Sequence, residues 1–248
     1  MKNYYLQNQN IMKTKLLSLI LLLALPFVSC EKEDDERQLD VNYNPSINPE
    51  NFVDDVTNTY FPLIAGTVFT YQSQTEDGLE TIVVTVLSDK KTVAGVSCTV
   101  VRDIVSIDGQ MVEDTHDWYA QDKDGNVWYM GEDVNNYENG VLVDHEGSFE
   151  AGIDGAKAGI IMLANPVLEM PYRQEYYFNK AEDWGKVIDK GVTVSTTYGV
   201  FNNCIKTADW NALEPDAPME FKYYAPNVGM VKEEIEGSSE YVDLISIE

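Results

Sequence analysis

Asp117-Trp118-Tyr119-Ala120-Gln121-Asp122-Lys123-Asp124-Gly125-Asn126-Val127-Trp128-Tyr129 carries two adjacent aromatic pairs, one on each side of a turn signal. In Asp124-Gly125 the glycine supplies a positive φ and the aspartate bonds its own backbone, so the stretch reads as a β-hairpin. Successive side chains of a strand point to opposite faces, and an aromatic pair therefore sets one ring on each side of the sheet. The doubling recurs at Tyr176-Tyr177 and Tyr223-Tyr224. A sheet that is apolar on both faces curls around a core or cavity and is covered elsewhere on its outside. The alternative is a β-sandwich with aromatics scattered on its outer face. On the first reading, the rings among Trp118, Tyr119, Trp128, Tyr129, Tyr176, Tyr177, Tyr223 and Tyr224 that face inward form the candidate ligand-binding surface.

Working outward, short β-branched and aromatic runs are separated by Asp77-Gly78, Asp108-Gly109 and Asn139-Gly140, again hairpin signals. Strands are expected over residues 67–73, 80–89, 96–107, 110–120, 126–137 and 141–149. Further strands fit 172–179, 182–189, 192–197, 203–208, 220–225, 230–236 and 241–247. Residues 150–171, with Gly152, Gly155 and Gly159, read as a long loop holding one short buried strand at 160–164. Connections of hairpin length and no sustained 3.6-residue period predict a mainly β, antiparallel meander with little helix, forming a curled sheet, half-barrel or barrel.

The N-terminus reads as an export signal. Lys13 and Lys15 precede an apolar run from Leu16 to Phe27, too short to span a bilayer and the right length for a cleaved leader. Phe27-Val28-Ser29-Cys30 resembles the lipobox of bacterial lipoproteins, with Phe where Leu is usual. That resemblance implies cleavage after residue 29 and lipidation of Cys30; Met12, directly before the basic pair, is the expected start of translation. The acidic run Glu31-Lys32-Glu33-Asp34-Asp35-Glu36 resembles signals that route lipoproteins to the outer face of the outer membrane. Residues 30–58, rich in charge, Asn and Pro, read as a tether, and 59–248 as a single β domain. The membrane is thus met through the lipid anchor alone.

The 42 acidic residues outnumber the 17 basic ones, giving a net charge of -25. Such a field repels phosphate backbones, which excludes nucleic acid as a partner. Cys98 and Cys204 either bridge in an oxidising compartment or stay as two core thiols, and the sequence leaves both open. Asp122, Asp124 and Asn126 offer oxygens of the kind Ca²⁺ takes, but the glycine comes too early for an EF-hand and a turn explains the same residues, so no metal site is assigned. His116 and His145 belong to no spaced ligand set, and no nucleophile elbow, zinc-protease pair or phosphate-cradling loop is present, so no catalytic residue and no cofactor is assigned. With so many acids, a carboxylate pair such as Glu175 with Glu182 or Asp183 is not by itself a glycosidase signal.

Two C-terminal segments carry a resemblance, Gly199-Val200-Phe201-Asn202-Asn203-Cys204-Ile205 and Tyr223-Tyr224-Ala225-Pro226-Asn227-Val228-Gly229-Met230-Val231-Lys232. They resemble the Gly-x-Phe-x-x-Cys and Tyr-x-Ala-Pro-x-Val-Gly-x-Val-Lys strands of a family of exported bacterial β-rich lipoproteins, some of whose relatives look like the half-barrels of lipoprotein carriers. Residues 117–129 look familiar from the same group. The resemblance implies no activity. The expectation is a surface-anchored lipoprotein with a non-enzymatic binding domain for an apolar, lipid or glycan ligand; a glycan hydrolase using a carboxylate pair and a structural or adhesive component are the alternatives.

Overall fold

The computed structural model describes residues 42–248, which lie within one compact unit, Leu39–Glu248. The leader, Cys30 and the acidic run lie outside the described residues. Only a 3-10 turn at Pro49–Asn51 interrupts an otherwise all-β chain among the described residues. The strands are β1 (Phe52–Val53), β2 (Val56–Asn58), β3 (Phe61–Leu63), β4 (Val68–Thr75), β5 (Gly78–Val93), β6 (Val96–Ile107), β7 (Gln110–Asp122), β8 (Val127–Glu138) and β9 (Val141–Asp144). They continue with β10 (Phe149–Glu150), β11 (Lys157–Met162), β12 (Pro171–Arg173), β13 (Glu175–Tyr176), β14 (Asp183–Ser195), β15 (Val200–Asn211), β16 (Glu220–Ala225), β17 (Gly229–Ile235) and β18 (Tyr241–Ile247).

The main sheet runs β12-β14-β15-β16-β17-β18-β4-β5-β6-β7-β8-β11-β13, and its ladders are antiparallel. Its two ends are consecutive in the chain. Pro171–Arg173 pairs with β14, while Glu175–Tyr176, one residue further on, pairs with β11. A single six-residue segment therefore draws both edges together, and the curled sheet is nearly closed into a barrel, which leaves few unpaired edge groups. The mainly β, curled architecture expected from the aromatic pairs is the one found. Tyr119 packs against the clusters around Val101, Val127 and Tyr129, whereas its neighbour Trp118 packs with Cys98, Val100 and Met130 in a separate cluster on the opposite face.

That outer cluster is covered by chain from the expected tether. Ile47 and Phe52 pack onto it, Phe52 meets the Trp128 ring edge-on, and β1 pairs with β7. Tyr43 donates from its hydroxyl to the Ala158 carbonyl at 2.8 Å. Residues 43–53 thus lie along the outside of the barrel. Several strand boundaries also differ from the sequence reading. The stretches 182–189 and 192–197 form one continuous strand, β14, whose register shifts around Gly191 at φ +75°, so the glycine serves a bulge and not a turn. Residues 172–179 split between two edges, and 141–149 breaks at the turn His145–Ser148.

Candidate functional site

The hairpin β2–β3 enters the barrel as a plug. Phe61 lies between Tyr119 of β7, at 5.1 Å, and Tyr224 of β16, at 6.4 Å. Asn58 holds the hairpin by donating to the carbonyls of Gly125 and Leu163, and Asn227 donates to the Thr59 carbonyl. The plug therefore sits at the end carrying the β7–β8 and β16–β17 turns, over Val127, Met162, Val187 and Ile205. All four are buried, so this end is an apolar core of the ordinary kind.

Toward the other end the same inward faces turn acidic. The register sets Ile82 beside Val105 and Glu113, Val84 beside Asp103 and Thr115, and Val86 beside Val101, Asp117 and Glu132. Because side chains alternate along each strand, Asp103, Glu113, Asp117 and Glu132 share the inward face with Val84, Val86, Val101 and Val105. The bases within β6–β8, Arg102 and His116, pair with each other across the ladder on the outward face, where Arg102 clamps Asp114 with two bonds of 2.8 and 2.7 Å. Tyr129 donates to Asp117 at 2.5 Å and Thr115 to Glu113 at 2.7 Å. Burial, then the nearby Glu132 carboxylate, pushes Asp117 up to about 8, and burial pushes Asp103 up to about 7.

A second inward group lies on β15–β17. Lys222 stands 3.0 Å from Glu220, 3.4 Å from Asp209 and 4.0 Å from Glu233. Burial opposes its charge, but the three carboxylates outweigh it and hold Lys222 well above the usual lysine range. Burial, then Glu220, pushes Glu233 up to about 8. Asp209 is raised by burial despite Lys222 beside it. Gln174, the residue at the barrel's closure, and Thr207 face the Asp209 carboxylate, and Tyr172 faces Gln174. The buried Tyr172 hydroxyl, Thr207 hydroxyl, Gln174 amide nitrogen and Asp209 Oδ1 nevertheless close no hydrogen bond at normal geometry. Gly185 makes room for them, since a Cβ there would stand 2.6 Å from Gln174 Nε2 and 3.0 Å from Asp209 Oδ1.

Of the eight candidate aromatics, Tyr119, Tyr129 and Tyr224 belong to the interior, and Tyr119 stacks on Tyr129 at 4.9 Å. Trp118 and Trp128 pack under the tether segment. Tyr223 faces away from Tyr224 and donates to Glu234 at 2.7 Å. Tyr176 belongs to the closure, where Arg173 is held between the rings of Tyr43, Tyr176 and Trp184 at 5.4, 4.6 and 4.5 Å. Tyr177 packs beside Phe149 and Ala181. The pair Glu175 and Glu182 is buried at the same place, with Glu182 3.4 Å from Arg173. The Asp122 carboxylate accepts from the Asn126 backbone and side chain and from the Trp128 indole, at 2.8 to 2.9 Å. Among the described residues no group of three or more His, Cys, Asp or Glu side chains is placed to hold a metal ion. Cys98 and Cys204 are free thiols buried in separate clusters, and burial pushes Cys98 up to about 12.

No protein-family model matches the chain, and no curated protein matches it. Two solved structures are similar to it. One, from Bacteroides fragilis, is described as an exported protein with a YmcC-like fold; it is 19% identical, the match covers 77% of this chain and 100% of that one, and the TM-score is 0.41. The other, from Parabacteroides distasonis, is described as a lipoprotein; it is 16% identical, with 77% and 99% covered and a TM-score of 0.37. No residue role is carried over from either.

Proposed function

We propose that this chain is an exported lipoprotein, anchored through Cys30 at the outer membrane and exposed on the cell surface, whose barrel is a non-enzymatic binding module with its ligand compartment inside the barrel. The observation that carries the binding reading is the interior itself. A barrel built only for stability fills its inside with apolar side chains, as the plugged end here does, because burying a carboxylate costs several kcal/mol unless it is paired. The other half keeps Asp103, Glu113, Asp117, Glu132, Asp209 and Glu233 on the inward face. An interior that retains so much polar chemistry beside tyrosine rings suits a ligand with polar groups better than a purely apolar one.

Native mass spectrometry of the protein isolated from its host tests the reading. A stoichiometric adduct that leaves on denaturation is expected; a chain of bare mass under all gentle ionisation conditions counts against it. Separately, Cys30→Ala is expected to move the protein from the membrane to the soluble fraction, since lipidation supplies the whole anchor on this reading. Retention of that variant on membranes overturns the anchor and leaves the binding reading untouched.

A further inference from the structure

We infer that the barrel opens sideways along the seam between β11 and β13, and that Tyr43, on the segment that runs ahead of β1, is the latch that holds this seam shut. The wall at this point is the segment Pro171–Tyr176. Tyr172 points inward among Val127, Met162 and Val187, and Gln174 faces the Asp209 carboxyl, whereas Arg173 and Tyr176 meet Tyr43 on the outside. Parting the seam therefore opens onto the polar part of the interior. Its role as an entry port rests on the reading of the barrel as a binding module; the latch does not.

The two sides of the wall segment are held unequally. Toward β14 it has the ladder of Pro171, Tyr172 and Arg173 against Lys186, Gly185 and Trp184. That side is extended by the Glu169 amide donating to the Val187 carbonyl and the Gln174 amide to the Asp183 carbonyl, both at 2.8 Å. Toward β11 only Glu175 and Tyr176 pair, with Ala158 and Lys157. An edge is secured by the row of backbone bonds it makes, so a two-residue ladder is the weak line of the closure. Beside it Gly159 adds no side chain to the seam, because the Gln174 backbone lies where its Cβ would stand. The wall segment is bracketed by two non-glycine residues in the left-handed region, Glu169 at φ +59° and Asn179 at φ +57°. Such element-terminal positions are where a hinge rotation is absorbed.

Tyr43 staples that line from outside. Its hydroxyl donates to the Ala158 carbonyl at 2.8 Å and its own carbonyl accepts from the Lys157 ammonium, which fixes it to β11. Its ring lies 5.9 Å from the Tyr176 ring and 5.4 Å from the Arg173 guanidinium, both on the wall segment. One residue thus grips both sides of the seam where the ladder is shortest. The other holds of its segment, Ile47 and Phe52 on the outer cluster and the two-residue β1 on β7, lie away from the seam. Releasing Tyr43 therefore frees the seam while the long ladders of β7–β8 and β14–β15 stay paired, a local opening and not an unfolding.

The test is hydrogen exchange read by mass spectrometry on the full chain, comparing wild type, Tyr43→Ala and Tyr43→Phe. Tyr43→Ala is expected to speed exchange of the amides in 157–162 and 174–177 by about tenfold or more, and to leave those of β15 within about twofold of wild type. Tyr43→Phe, which removes only the hydroxyl, is expected to give a smaller rise at the same two places. Tyr241→Ala, which removes an exposed ring from β18, is expected to leave the seam unchanged. Thermal melts establish that each variant is folded; if the alanine variant is not, the local rise in Tyr43→Phe decides. The inference is overturned if the seam exchanges no faster than in the wild type, or if exchange rises evenly over the whole barrel, which marks Tyr43 as a general stabilising contact. Exchange at the seam is independent of whether the interior holds a ligand, so native mass spectrometry still decides the binding module by itself.

Discussion

At one end of the barrel Phe61 is wedged between Tyr119 and Tyr224 above Val127, Met162 and Ile205; toward the other, the same strands present Glu113, Asp117, Asp209 and Glu220. Strand β7 supplies Tyr119 to the first region and Asp117 to the second, two residues apart on one face. The face on which a side chain lies follows from period-two geometry. Whether that face is dry or charged depends on how far along the strand the residue sits, which the period does not encode. Stability and binding chemistry are therefore separated along the barrel axis and not between its inside and outside.

The comparison can be broken hardest at the closure. A Cβ on Gly159 would stand 2.3 Å from the backbone carbon and oxygen of Gln174, and backbone cannot swing aside. Gly159→Ala is expected to cost ~3 kcal/mol or more in denaturant unfolding. On Gly185 the nearest atom is the end of the Gln174 side chain, so Gly185→Ala is expected to cost far less. A Gly185→Ala cost as large as that of Gly159→Ala would mean that the Gln174 side chain is held as firmly as its backbone.

Next in size is a contrast between the two ends. Met162→Ala empties space in the packed end and is expected to lose ~2–4 kcal/mol. Asp103→Asn removes a buried acid from the acidic end and is expected to be neutral or stabilising at pH 8, measured by the same unfolding curves. A large loss in Asp103→Asn would show that the carboxylate is a structural partner.

The pH dependence sharpens this. An unfolded carboxyl titrates near 4, whereas Asp103 titrates at about 7 and Asp117 and Glu233 at about 8 in the fold. Between those limits the native state holds protons that the unfolded chain has released, so stability falls as pH rises from about 4 to about 8. The melting temperature is expected to be higher at pH 5.5 than at pH 8.5, with a smaller difference in Asp117→Asn/Glu233→Gln. The opposite shift of Asp114, held down by Arg102, plays out below this window. A profile that rises toward pH 8.5 would contradict the upward shift that burial imposes on these acids. The smallest effect concerns the acidic hairpin at the plugged end. Since the Asp122 carboxylate already accepts three hydrogen bonds from its own hairpin, EDTA is expected to leave the melting temperature unchanged; a drop of several degrees restored by Ca²⁺ would make that turn a metal site.

The curled sheet was legible because Trp118-Tyr119 and Trp128-Tyr129 force apolar surface onto both faces, and they divide between outer and inner clusters as that argument requires. The closure was not legible. Pro171–Tyr176 reads as part of one strand, and its division between two edges follows from where β14 and β11 lie, a tertiary fact. Lys190-Gly191 has the composition of a turn and forms a bulge, because β14 is held on both sides of it by β15. The acidic interior escaped for a different reason. In Glu113-Asp114-Thr115-His116-Asp117 every position is polar, so the alternation that marks an inward face has no contrast, and the abundance of acids elsewhere hides the four that matter.

The pairing of β18 with β4 sets Ile247 opposite Phe69, nearly the full length of the β domain away in sequence. Every other long strand of the main path can form by adding to a hairpin already made, but this seam joins the first and last long strands. Closing so large a loop carries the entropy of ordering everything between, and folds dominated by such distant pairings form slowly. Until β18 docks, β4 keeps a bare edge of unpaired amides, so the slowest step of folding is also the one that leaves the chain most open to pairing with a neighbour.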